Sequence, residues 1–450
     1  MPFKFVLLWS DALFFLLVAV TLAGGIWASR VEHLRLAWRR VGCSRVGMAA
    51  ATLLVAFVLV ALLDSLHYRE RLPGAQDNYA VEVRSAFDAL LTGLRTRSEK
   101  TYSAPLATHS FAKESLDGAV EGSVGRDFPR LKHGGAHLGS DLAGHEPDIT
   151  RKAVQGLGFG LVAWLALWLA STPLRRAAPH LAWSAVLVTL LLLCLAAGSV
   201  AVLAQGYHVL GTDKVGQDVL YLTLKSIRTG LLIGTLTTLI MLPAAVVLGL
   251  VAGYAGGWID DVIQYLYTTL NSIPGVLLIA AAVLMMQVAI DTHPEWFATS
   301  AERADARLLA LCAILGITSW TGLCRLLRGE TLKLREQEYV QAARSLGVSG
   351  ARILWRHILP NVMHIVMIAI VMDFSGLVLA EAVLSYVGIG VDPHTISFGT
   401  MINTARMELA RDPMVWWSLA AAFVFMFVLV LAANLFADVV RDAFDPRVAK

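Results

Sequence analysis

An all-α polytopic membrane protein is the fold class the sequence predicts, and three observations carry it. Hydrophobic residues make up 57% of the 450 and charged residues only 16%, against about 25% charge in an ordinary soluble domain. The mean hydropathy is +0.64. The apolar residues are also gathered into runs of about 20, the length that crosses hydrocarbon. A bilayer leaves no water to satisfy the backbone, so runs without strand-like alternation are read as helices.

Nine runs qualify, at 6–28, 46–66, 154–171, 181–205, 229–254, 262–288, 307–325, 361–383 and 414–438. The first opens on Lys4 alone, outlasts the apolar core of a signal peptide and contains Asp11, so it is expected to be a retained span. The net charge of +3 decides little, because the placement of Lys and Arg sets orientation. Residues 29–45 carry Arg30, Arg35, Arg39, Arg40 and Arg45 against Glu32 alone, and the connector 172–180 carries Arg175 and Arg176. The loop near 325–356 and the C-terminus are also basic. With nine spans all four stretches fall on one side, which makes that side cytoplasmic, the N-terminus outside and the C-terminus cytoplasmic.

Residues 69–150 form a long polar segment, placed outside by the same counting and expected to be a small accessory domain or an irregular loop. Its "HGGAHLGSDLAGHEPD" gathers His133, His137, Asp141, His145 and Asp148, but at no standard metal-ligand spacing, and no metal is expected. Cys43 lies in a basic loop and Cys194, Cys312 and Cys324 in apolar runs, so no disulfide framework is read. No internal repeat is evident. Pro243 inside a span implies a kink. Gly256 and Gly257 break a helix that Asp260 and Asp261 then restart. Asp373 within the 361–383 run is expected to face a pore or link helices, and Glu381 to lie near water in an outer hairpin.

Between two spans sits "EYVQAARSLGVSGARILWRHILPN", residues 338–361, polar and basic. Residues 331–346 favour helix, with Tyr339, Ala342, Ala343 and Leu346 on one face. Gly347 suits the left-handed end of that helix, Ser349 an N-cap for a second helix at 350–358, and Pro360 the first turn of the next span. The expected product is a compact hairpin whose alanines let another protein approach the backbone closely.

This stretch resembles the EAA loop of ABC importer permeases, in which E-A-A is followed after three residues by Gly and after nine more by I-x-L-P. Gln341, Ala342, Ala343, Gly347, Leu359 and Pro360 match in spacing, with Glu338 at the head of the stretch. Gln341 stands for the usual Glu and His357 for the usual Ile. "HVLGTDKVGQDVL" (208–220), with Gly211, Thr212, Asp213, Gly216 and Asp218, is similar to the outer-face motif of C-type oligopeptide and dipeptide permeases, Gln217 replacing Arg. "GLVAGYAGGWIDD" (249–261), "EAVLSYVGIGVDPHTISFGTMI" (381–402) and "NLFADVVRDAFDPR" (434–447) resemble further blocks of those subunits, in the same order.

The resemblance implies a six-helix, MetI-like permease core at 181–450 with a coupling loop at about 326–360, preceded by an extension at 1–180 with about three spans. It implies an inner-membrane subunit forming half of a pore, with a second permease subunit, two ATP-binding subunits and an external solute-binding protein as partners. ATP and Mg would be bound by the ATPase partners and no cofactor by this chain, which has no Gly-Lys pair and so no phosphate loop. Membrane lipid is the other expected contact, and no nucleic-acid partner is expected. Peptides are the expected cargo. Nickel, glutathione, a peptide-like antibiotic or a sugar are alternatives, as is an enzyme or sensor module in the N-terminal region. The plain alternative for the loop is a structural turn. For the 208–220 block it is simple capping, with Thr212 or Asp213 starting the next helix. A bulky charge at Ala343 or Gly347 is expected to uncouple ATPase docking.

Overall fold

The computed structural model describes residues 3–71, 79–115, 126–139, 144–297, 299–392 and 395–444. In chain order the helices are α1 (Trp9–Arg30), α2 (Glu32–Cys43), α3 (Arg45–Asp64), the short α4 (Ala86–Leu90) and α5 (Thr92–Thr96), α6 (His145–Ala170), α7 (Thr172–Ala177) and α8 (Trp183–Leu203). There follow α9 (Val219–Ala255), α10 (Gly257–Ser272), α11 (Gly275–Thr292), α12 (Ser300–Ser319), α13 (Thr321–Arg335), α14 (Glu338–Ser345), α15 (Gly350–Ile353), α16 (Leu359–Val387), α17 (Phe398–Arg406) and α18 (Trp417–Phe444). Among the described residues nine helical stretches are long and apolar enough to cross a membrane: α1, α3, α6, α8, α9, α11, α12 with α13, α15 through α16, and α18.

Several boundaries differ from the sequence expectation. The run at 262–288 is not one helix: Ile273 is extended ahead of Pro274, which ends α10, and the span proper begins at Gly275. The third span starts at His145, because Glu146 and Asp148 favour a helix N-terminus although they are polar. α16 continues to Val387, so Glu381 is buried inside the span rather than near water, and its carboxylate accepts a hydrogen bond from Ser385 Oγ at 2.7 Å. Residues 445–447 of the last motif lie outside the described residues.

The chain divides into two compact units, each made of three stretches. One contains Met1–Val6, Gly42–Thr229 and Ile396–Ala432. It adds small sheets to the helical expectation: β1 (Phe3–Val6) pairs antiparallel with β2 (His67–Glu70), which pairs with β3 (Arg84–Ser85). β4 (Glu114–Ser115) pairs with β5 (Arg126–Asp127). The described part of the 69–150 segment is therefore ordered by short elements. Asp64, at the end of α3, accepts a 2.6 Å bond from Ser85 Oγ, and Lys225 of α9 pairs with Asp88 of α4 at 2.7 Å.

In the same unit α6 and α8 pack at backbone distance. A Cβ on Gly156 would lie 2.6 Å from the Gly198 carbonyl, and one on Gly198 would lie 2.8 Å from the Gly160 nitrogen. Lipid gives no hydrophobic drive for helices to associate, so such glycine seams and the Trp164 Nε1 bond to the Leu187 carbonyl (2.9 Å) hold the pair.

The other unit contains Leu7–Val41, Gly230–Thr395 and Ala433–Lys450. Here Ser10 of α1 is bonded to Asp305 of α12, and Asp11 is buried. Gly249 and Gly253, one turn apart on α9, bring that helix onto α13. Added Cβ atoms would meet the Cys324 carbonyl at 2.8 Å and the Arg328 carbonyl at 2.7 Å. Asp260 of α10 takes a two-pronged ion pair from Arg328, at 2.5 and 2.7 Å.

Replacing Gly160 with Val is expected to cost about 1–3 kcal/mol or more through overpacking. It should lower the melting temperature of the purified chain in detergent. Gly158→Ala, where nothing lies within 4 Å, should leave it unchanged.

Candidate functional site

The 338–361 segment is built on α13 and α14, and the helix favoured at 331–346 is interrupted. α13 ends at Arg335, Glu336 and Gln337 make a turn, and α14 starts at Glu338. α14 then ends as the sequence indicates. Gly347 has φ +75°, its N–H donates to the Arg344 carbonyl (3.0 Å), and the Val348 N–H donates to the Ala343 carbonyl (3.1 Å). This is the paired closure of a Schellman end, which satisfies carbonyls that a helix terminus leaves orphaned. Space around Gly347 is open, so its φ, not crowding, demands glycine.

Ser349 occupies the N-cap position, but its side chain makes no capping bond. The second helix does not stop before Pro360 either. α15 passes through a π turn at Leu354–Ile358 into α16. The wider turn accommodates the ring of Pro360 and its missing N–H without ending the helix. Asn361 Nδ2 donates to the His357 carbonyl at 2.6 Å and to Tyr339 Oη at 3.2 Å, tying α14 to the base of α16. His357, half-buried, lies with its ring 6.3 Å from that of Tyr339.

Of the face expected to meet another protein, Tyr339, Ala342 and Leu346 are exposed, Leu346 by 83%, but Ala343 is buried. Val340 and Ala343 point inward, joining a core with Ala245 and Ala252 of α9, Leu323 and Leu327 of α13, and Ile353 and Ile358. Outside hydrocarbon, burying a side chain such as Val340 contributes about 1.5–3 kcal/mol. The segment is thus fastened to three spans by one face and presents Glu338, Tyr339, Ala342 and Leu346 on the other.

Gln341 is held at its own end. Its amide donates to Glu336 at 3.3 Å, Arg335 Nε pairs with Glu336 at 3.0 Å, and Arg335 also donates to the Gly253 carbonyl at 3.2 Å. These groups line a groove of about 490 Å³ between α14 and the end of α9. Arg335, Glu336 and Asn361 were not legible as site residues, since their role depends on how α14 folds back. Asp373 is half-buried in α16 and makes no hydrogen bond or ion pair among the described residues.

The 208–220 block is buried more deeply than a surface lip. His208 lies between two carboxylates, with Nδ1 2.7 Å from Asp218 and Nε2 3.3 Å from Glu99. Glu99 also accepts the backbone N–H groups of Lys132, His133 and Gly134. Asp218, not Thr212 or Asp213, caps α9, by accepting the Leu220 N–H at 2.9 Å. Asp213 closes its own turn on Val215 and Gln217. Thr212 is fully buried: its hydroxyl donates to the Thr101 carbonyl and accepts the Ser103 N–H, and its carbonyl accepts from Trp417 Nε1. Gly211 and Gly216 have positive φ and let residues 99–103 lie against them. The expected capping role therefore belongs to one residue of the block, while the rest docks the 97–139 segment.

The histidine-rich stretch gathers differently. His137, Lys152 and Tyr207 all converge on Asp148, with Tyr207 Oη at 2.8 Å. Asp141 lies outside the described residues, and among those described no group of three potential ligands is placed to hold a metal.

Burial works against ionising both Glu99 and His208, but their mutual bond, with Asp218 and the backbone N–H groups, outweighs it. Glu99 is held down to about 2 and His208 is raised to about 9. The His208 contribution is complete below its ordinary 6.5 and lost as pH rises through 9; that of Glu99 is complete above 4.5 and lost as pH falls through 2. His208→Gln is expected to destabilise this assembly by about 3–5 kcal/mol at pH 6, as breaking a buried pair does. The melting-temperature gap to wild type should narrow as pH is raised from 6.5 past 9.

Residues 245–450 match the family model described as "Binding-protein-dependent transport system inner membrane component". The oligopeptide transport system permease protein OppC of Mycobacterium tuberculosis is 34% identical over 239 residues, 53% of this chain and 76% of its own. The dipeptide transport system permease protein DppC of Lactococcus lactis is 31% identical over 243 residues, 54% of this chain and 65% of its own. The glutathione transport system permease protein GsiD of Pectobacterium atrosepticum is 34% identical over 242 residues, 53% and 73% respectively. With the helical architecture and the ordered blocks, this similarity settles the family. The chain belongs to the inner membrane components of binding-protein-dependent transport systems: it is an ABC importer permease subunit and not itself a catalytic one.

Proposed function

We propose that this chain forms half of the translocation pore of an importer for peptides or similar small solutes, with a second permease subunit, and that ATP hydrolysis on two separate subunits drives it. The observation that carries the reading is the two-sided α14. Val340 and Ala343 fasten it to three spans, and Glu338, Tyr339, Ala342 and Leu346 stay exposed for an ATPase surface. A push on that face is then transmitted to α9, α13 and α16 as one body. Gln341, Gly347, His357, Leu359 and Pro360 set the geometry of the lever rather than its contact surface. An external solute-binding protein would deliver cargo at the side that carries the 208–220 block. That side is outside, and the C-terminus cytoplasmic, by the placement of the arginines.

Peptides are favoured because relatives named for oligopeptide and dipeptide transport match over about half of this chain. The glutathione permease is similar to the same degree, and glutathione, itself a peptide, falls in the same cargo class. We assign residues 181–450 to the permease core and 1–180 to an extension. Asp373, half-buried in α16 without an ionic partner among the described residues, is the polar group of that core best placed to line the pathway.

The test is the complete transporter in proteoliposomes with its binding protein. Because Ala343 is buried, a charge there disturbs the fold itself, and Ala342→Asp and Leu346→Asp probe docking more cleanly. Each should reduce binding-protein-stimulated ATPase activity and labelled-peptide uptake by tenfold or more, with membrane insertion and melting temperature unchanged. Full coupling in both variants would sink the assignment.

A further inference from the structure

We propose that α2 is an interfacial helix whose arginines bind the phosphate headgroups of anionic phospholipids. Val31 alone separates it from α1, and Ser44 alone separates it from α3. Both neighbours are long and apolar enough to span. A 12-residue helix, about 18 Å long, pinned at both ends by spans has no slack to leave the bilayer surface. It lies along that surface whichever leaflet this is, so the inference is independent of the transport reading.

The two faces of α2 have different occupants. Val41 packs with Val440 and Ala443 of α18, and Trp38 meets Phe444 edge to face at 5.6 Å. Leu34 and Ala37 are half-buried on the same side. The opposite arc holds Arg35, Leu36, Arg39 and Arg40, all exposed. At 100° per residue, Leu36 falls between the arginines, an apolar side chain ringed by cations.

None of the three guanidinium groups forms an ion pair or hydrogen bond among the described residues. The acids closest in sequence or packing, Glu32 on α2 and Asp438 and Asp442 on α18, do not pair with them. Guanidinium groups match phosphate in planar, two-pronged geometry. A basic arc with an apolar centre, held at the headgroup level, is the pattern that anionic leaflets attract. Charge complementarity and enforced position together commit the arc to lipid.

Native mass spectrometry of the full chain in neutral detergent, titrated with phosphatidylglycerol or phosphatidylcholine, tests this. Wild type should retain phosphatidylglycerol in preference, and the preference should fall with salt. The triple variant R35Q/R39Q/R40Q should lose that retention by tenfold or more, consistent with the attraction per surface arginine, with phosphatidylcholine unaffected. The lysine triple variant should keep most of the preference, which separates charge from misfolding. Undiminished phosphatidylglycerol retention in the glutamine variant overturns the proposal. Loss of co-purifying ATPase subunits in that variant, with lipid retention unchanged, also overturns it and assigns the arc to a protein.

Discussion

The close approach of α9 to α13 is the contact on which the packing of α14 depends. Gly249 and Gly253 remove the side chains that would hold the two helices apart, and the space they leave is filled from α13 by Leu327 and Thr331. Once that seam is closed, Ala245 and Ala252 present a surface small enough for Val340, Ala343, Ile353 and Ile358 to reach. The polar loop between spans is therefore not a tether. One face of it extends the apolar core of the helix bundle, packed outside the hydrocarbon, where the hydrophobic effect operates.

The 208–220 block follows different physics. There the binding is polar, with Thr212, His208 and Asp218 each hydrogen-bonded, and Glu99, Thr101 and Ser103 of the 97–139 segment among the partners. Buried polar groups are costly unless paired, so the block and the segment require each other. Glu99 supplies a second carboxylate to a histidine that already has one in Asp218. The 97–139 segment is thereby joined to the start of α9 by an ion pair that cannot lose one partner without stranding a charge.

Residues 1–180 make contacts within each unit. α6 and α8 form a glycine-seamed hairpin, Asp64 and Asp88 hold Lys225, and α2 rests on the end of α18. None of these contacts is provided by residues 245–450 alone, the part that the family model covers.

Sequence by itself determined the class, the nine apolar runs long enough to span and the family, because apolar run length and ordered motifs are local properties. It also determined the turn at Gly347, since a left-handed helix end has few other solutions. It erred at one residue of the exposed face of α14, taking Ala343 as a contact surface. Small residues on a short helix look alike whether they face a partner or a neighbouring helix. It read Asp260 and the 208–220 turn as local caps, because Arg328 and Glu99 are distant in the chain. The π turn before Pro360 was hidden because it resolves a conflict between a proline and a helix that packing keeps continuous. Tertiary structure decided those points: each depends on which non-local atom fills a space or satisfies a charge, and one-dimensional spacing does not carry that information.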